Sequence, residues 1–184
     1  MSALEALLLV APEPLTTGRA AAAAGVEEEE ARAALEALRQ EYASRRSGLE
    51  VVEVAGGWRL VTRAEFDTLV TRLEPSRTVP PLSPAALETL AVVAYRQPLT
   101  RAEIEAVRGV RCEGVLATLV ERGLVEEVGR REGPGRPILY GTTRWFLEYF
   151  GLRELGDLPP LPETAEGTDE GATEGNGAAA RADS

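Results

Sequence analysis

The sequence predicts a mainly helical fold with small β-hairpins (α+β), made of two similar units in tandem and followed by an acidic tail. Three observations carry this. Leu7 to Thr16 (LLLVAPEPLT) and Ala91 to Thr100 (AVVAYRQPLT) both run an apolar helix end into Pro-Leu-Thr. The register then persists, because Gly25-Val26 follows Thr16 at the spacing at which Gly109-Val110 follows Thr100. Each half goes on to two strand-like stretches around a glycine turn: LEVVEVA and WRLVTR flank Gly56-Gly57, and LVEEVGRREGPGRPILY folds back at Gly133-Pro134-Gly135.

In chain order, Ser2 and Glu5 have capping-box spacing for a helix to about Val10, with Leu4, Leu7 and Leu8 on one side. Pro12 and Pro14 end it. Thr16 or Thr17 caps a short Ala-rich helix that stops at Gly25. A longer helix, about Glu27 to Arg45, turns Ala31, Ala34, Leu35, Leu38 and Tyr42 inward and starts with four glutamates that suit its N-terminal dipole. Three helices and a hairpin make a winged helix. Pro75, Pro80 and Pro81 mark a linker over 75–82, leaving a first unit at 1–74.

The second unit, 83–160, starts at Ser83 as N-cap with Pro84 at the first helical position. Leu87, Leu90, Ala91 and Ala94 read as its core stripe, with Val92 and Tyr95 on the opposite flank. Thr100 and Glu103 form a capping box, Leu99 staples onto Ile104, and Gly109 ends the helix. A third helix, Arg111 to Arg122, precedes the hairpin, and a last one, Thr143 to Phe150, brings Trp145, Phe146 and Phe150 back toward the unit. Beyond it, the segment 161–184 holds half of the net charge of −10 and no aromatic residue, so it is expected to stay disordered.

Composition excludes much chemistry. The chain of 184 residues has no histidine and no lysine, and Cys112 is its single cysteine. Imidazole acid/base catalysis, a His or Cys metal cage, a Schiff base and a Walker lysine are therefore all missing, and no catalytic constellation, cofactor site or metal site is expected. Lone Cys112 reads as packing, and no disulfide framework is possible. With neither a signal-like start nor a membrane-length apolar run, the expected location is the cytoplasm, with no membrane partner.

Winged helices invite the reading of a DNA-binding transcription regulator, so the third helix of each unit has to be read by face. In the second unit Cys112, Val115, Leu116 and Leu119 point inward, leaving Gly114, Ala117, Thr118 and Glu121 outside. Base readout wants Arg, Lys, Asn or Gln. The first unit puts Glu27 to Glu30 where a phosphate contact would fall, so DNA binding is expected to be weak or indirect. A protein contact suits the surface better: Val92 and Tyr95 off the core stripe, Arg96 and Gln97 after them, and small residues at Gly114 and Ala117. Gly114 has a second reading, as a glycine required by tight packing against the preceding helix.

The run ETLAVVAYRQPLTRAEIEAVRGV (Glu88 to Val110), followed by ERGLVEEVGR and GPGRPILYGTTRWFLEYFGL, closely resembles the bacterial segregation and condensation protein B family; LEALLLVAPEPLT and GLEVVEVAGGWRLVTR resemble its N-terminal half. The resemblance implies a non-enzymatic accessory subunit of the bacterial condensin, active in chromosome condensation and segregation and associated with the nucleoid. It further implies a homodimer paired through the first unit, holding the kleisin subunit (segregation and condensation protein A) and through it the condensin ATPase. On this reading Val92, Tyr95, Arg96, Gln97, Arg108, Gly114, Ala117, Arg136 and Tyr140 are the candidate kleisin contacts, and Leu4, Leu7 and Leu8 the candidate dimer contacts.

Overall fold

A computed structural model describes residues 1–74 and 80–161; most of the linker and the tail expected to be disordered lie outside the described residues. The first half runs α1 (Ser2–Val10), α2 (Thr17–Ala24), α3 (Glu28–Ser44), β1 (Leu49–Val54) and β2 (Gly57–Thr62), then a 3-10 turn (Ala64–Phe66) and α4 (Asp67–Leu73). The second runs α5 (Pro84–Arg96), β3 (Leu99–Thr100), α6 (Arg101–Arg108), α7 (Glu113–Glu121), β4 (Val125–Arg130), β5 (Ile138–Thr142), α8 (Arg144–Phe150) and a 3-10 turn (Leu155–Asp157). The short α4 and its preceding turn are additions to the elements expected from the sequence.

The duplicated motif does the same structural work in both halves. Thr16 and Thr100 accept the backbone N–H three residues on, and Gly25 and Gly109 close the following helices at φ 69° in each case. The leucine between proline and threonine joins the hairpin: Leu15 bridges to Trp58, and Leu99 pairs with Tyr140. The second sheet is antiparallel in the order β3-β5-β4, with a bulge between Glu127 and Gly129.

Two local expectations shift. The first hairpin turns on Ala55-Gly56, both at positive φ (50° and 68°), so Gly57 belongs to β2. Gly57 is needed for a different reason: a Cβ there would stand 2.9 Å from the Pro14 carbonyl, where the chain crosses to pair with the hairpin. The other shift is at the chain start. Met1 is the N-cap of α1, with no side-chain cap bond. Glu5 instead accepts the Tyr42 hydroxyl and lies 3.5 Å from Arg45, tying α1 to the end of α3. That bond to the carboxylate, together with burial, pushes the Tyr42 phenol above its ordinary pKa.

Two separate cores form. One gathers Leu4, Leu8, Leu35, Leu38, Tyr42 and Trp58; the other gathers Leu90, Val93, Ile104, Leu116, Leu119 and Phe146 with Leu82, a residue the sequence reading left in the linker. The Cys112 thiol is inside the second core, and burial, with nearby Glu105, raises its pKa, which suits packing and not reactivity. Polar contacts join the halves. Ala55 N–H and Gly56 N–H donate to the Leu152 and Arg153 carbonyls at 2.8 Å, Arg59 pairs with Glu148 at 2.7 Å, and Arg144 donates to the Pro14 carbonyl at 2.7 Å.

Candidate partner-binding surfaces

Helix α5 decides where the second half has free surface. Its buried side is Ala86, Thr89, Leu90, Val93 and Ala94, so the stripe is turned relative to the expected one, and Leu87 and Ala91 are exposed. Thr89 can be buried because its hydroxyl donates to the Ala85 carbonyl at 2.8 Å and accepts from Arg108. The apolar residues turned outward line a groove of about 350 Å³ with α8 and the segment that follows it: Leu87, Ala91 and Tyr95 on one wall, Phe150, Leu158 and Pro159 on the other. Tyr95 is half-buried there, its hydroxyl donating to the Pro159 carbonyl.

The other candidate residues divide among several roles. Val92 is half-buried against the second core and does not line the groove that holds Tyr95. Gln97 is a brace: its amide donates to Thr142 Oγ1 at 2.8 Å and accepts the Thr142 N–H at 2.7 Å, holding the end of α5 to β5. Arg108 is a second brace, donating to the Ala85 carbonyl at 2.8 Å and to Glu88 at 2.7 Å across α5. Its side chain is 12% exposed, leaving it little reach for a partner. Arg96 is exposed at the end of α5. Arg136 is exposed on the β4–β5 connection at φ 39°.

Ala117 and Tyr140 do come together, lining a second, more polar groove between α7 and the hairpin with Arg101, Val120 and Glu127. Gly114 is on the same exposed face of α7, and a Cβ added to it would meet nothing within 4 Å. Tight packing is therefore not the reason for this glycine. Gly114→Ala is expected to raise the thermal stability of the second half by about 0.5–1 kcal/mol, from helix propensity alone, as read in a melting experiment. A destabilised variant would show that the site is less open than its geometry.

One of the hairpin arginines is taken up by an ion pair. Arg131 pairs with Glu103 at 2.6 Å, and that guanidinium, with the Thr100 N–H and hydroxyl, holds the exposed Glu103 carboxyl down at about 2. The capping box of α6 thus stays charged at any ordinary pH. Arg101 is paired with Glu113 at 2.7 Å.

In the first half Leu4 and Leu8 are 4% and 3% exposed, with Leu7 packed against the same core, so these residues hold α1 to its own chain. The exposed apolar residues here are others: Met1, Leu9, Val10, Leu69 and Leu73. Sequence reasoning missed the last two because α4 itself was missed. Among the described residues no group of His, Cys, Asp or Glu gathers to hold a metal ion, and no helix is long and apolar enough to cross a membrane.

Two related helix-and-hairpin halves with open grooves on their surfaces offer places for other chains to dock. The family model for the segregation and condensation complex subunit ScpB matches residues 2–161, and the chain belongs to that family. Segregation and condensation protein B of Symbiobacterium thermophilum is 55% identical over 158 residues, covering 86% of this chain and 72% of that one. Among solved structures, ScpB of Mycobacterium tuberculosis is 44% identical and covers 82% of this chain and 94% of its own (TM-score 0.40). A dimer of an ScpB N-terminal domain complexed with an ScpA peptide is 33% identical over 39% of this chain and 90% of its own (TM-score 0.38).

Proposed function

We propose that this chain is a non-enzymatic accessory subunit of a bacterial condensin, acting in the cytoplasm at the nucleoid as a homodimer that holds the kleisin. The observation that carries the reading is the family match over residues 2–161. Two winged-helix units, 1–74 and 83–160, joined by the Pro-rich 75–82, divide the work: the first pairs with a second copy, and the second takes the kleisin. The α5–α8 groove supports the kleisin assignment, because a run of apolar residues beside exposed Arg96 has the makings of an interface with an aromatic anchor, Tyr95. The braces Gln97 and Arg108 then act by keeping α5 in place, and contact falls to Leu87, Ala91, Tyr95 and Phe150.

The surface gives no support to a DNA-binding regulator. The exposed side of α7 offers Gly114, Ala117 and Glu121, and α3 begins with three exposed glutamates, Glu28 to Glu30. Affinity purification from the native cell is expected to bring down a kleisin and a condensin ATPase with the full chain. Recovery of the chain without a kleisin would refute the assignment.

A further inference from the structure

Helix α8 is engaged on two opposite sides. Phe146 and Phe150, four residues apart, line the α5–α8 groove, with Leu152 and Leu158 of the segment beyond. Arg144 and Glu148, also four apart, are offset from that pair by two residues, about 200° around a helix, and so leave on the far side. The first half of the chain is seated there. Arg144 donates to the Pro14 carbonyl, and one turn on, Glu148 accepts from Arg59 of β2 with its own side chain only 11% exposed. Just past the helix, the Leu152 and Arg153 carbonyls take the N–H groups of Ala55 and Gly56 at the tip of the β1–β2 hairpin. Leu152 belongs to both systems, lining the groove while its carbonyl holds the hairpin. A helix of seven residues has too few hydrogen bonds of its own to fix its position, so packing on both sides has to do so.

We infer that the first half, seated along α8, sets the outer wall of the α5–α8 groove, so that filling the groove and docking of the two halves strengthen one another. This rests on the kleisin reading proposed above and adds what controls its site. Phe146 anchors α8 in the second core, but Phe150 at the other end is 42% exposed, and there the hold comes from Arg59 and the hairpin tip. Arg59, Arg144 and Glu148 are positioning residues: none lines the groove, and each acts through the placement of Phe150 and Leu152. Such coupling is reciprocal, so the factor that docking adds to partner affinity is the factor that the partner adds to docking. The sheltered Arg59–Glu148 pair is its sensitive point, because removing one charge leaves the other without compensation.

The experiment is titration of the full chain with a kleisin fragment, beside hydrogen exchange of the backbone amides. In the wild type the bound fragment is expected to slow exchange of the Ala55 and Gly56 amides about fivefold or more, although neither residue lines the groove. That measurement needs no variant. Arg59→Glu sets two carboxylates against each other and is expected to raise the dissociation constant about fivefold or more. It alters a residue outside both cores, so the variant should fold, which circular dichroism checks. Adding Glu148→Arg to it is expected to recover most of the loss, since the pair is then restored with its charges exchanged. A folded Arg59→Glu variant with wild-type affinity would overturn the inference alone, as would amides that exchange equally fast with and without the fragment. A loss that Glu148→Arg leaves unrestored would overturn it too, because the fragment then touches Arg59 itself. A wild-type chain that does not bind the fragment would overturn the kleisin reading and the coupling with it.

Discussion

Leu87→Glu is expected to weaken kleisin binding by about 2 kcal/mol or more, roughly thirtyfold, while leaving the melting temperature near that of the wild type. The two halves of this expectation have separate causes. Leu87 is 45% exposed on α5, and glutamate is as good a helix former as leucine, so the free chain loses little. In the complex the new carboxylate faces a groove lined by Ala91, Tyr95 and Phe150, which supplies no cation, and burying it there against an apolar partner leaves a charge without compensation. Calorimetric titration with a kleisin fragment, beside thermal melts, reads both quantities. Unchanged affinity in a folded variant would move the kleisin off this groove.

Trp58→Ala should cost the first half about 3–5 kcal/mol, the range for removing a large buried aromatic. Trp58 is 2% exposed, and its indole N–H donates to Thr17 Oγ1 at 3.2 Å, so the substitution opens a cavity and also leaves the Thr17 hydroxyl without that donor. Its backbone pairs with Leu15, placing the ring where the hairpin, the Pro-Leu-Thr segment and α2 meet. Typical domains have only about 5–15 kcal/mol in total, so this half should melt well below the second, whose core shares none of these residues. Denaturation followed separately in each half checks it; a single transition at the wild-type midpoint would contradict the packing described.

The exposure pattern of α7 was legible because its determinants are local. The outward face of α7 follows from helical periodicity, and Gly114 and Ala117 are indeed exposed while Cys112, Leu116 and Leu119 are buried. The stripe of α5 was harder, since nearly every side of that helix is apolar and periodicity alone cannot say which is covered. Leu82 and Phe146 pack into the same core as the Ala86–Val93 side, and Leu87 and Ala91 are left facing α8 across the groove. Helix α4 leaves no signal in the sequence because seven residues are too few for a clear period.

What the sequence determined by itself is what closes over three or four residues: the Thr16, Ser83 and Thr100 caps, the Gly25 and Gly109 stops, and through their repetition the two-unit plan. A cap forms with its own next turn, so its geometry is written in the spacing. What only the tertiary structure decided depends on residues far apart in sequence. Glu5 has capping-box spacing to Ser2, yet bonds Tyr42; Arg108 reads as a surface arginine, yet clamps α6 to Ala85 and Thr89 of α5; Leu4 and Leu8 read as a contact surface, yet fill a core with Leu35 and Trp58. Spacing fixes the direction in which a side chain leaves its helix, and only the packing of distant elements fixes what it meets there.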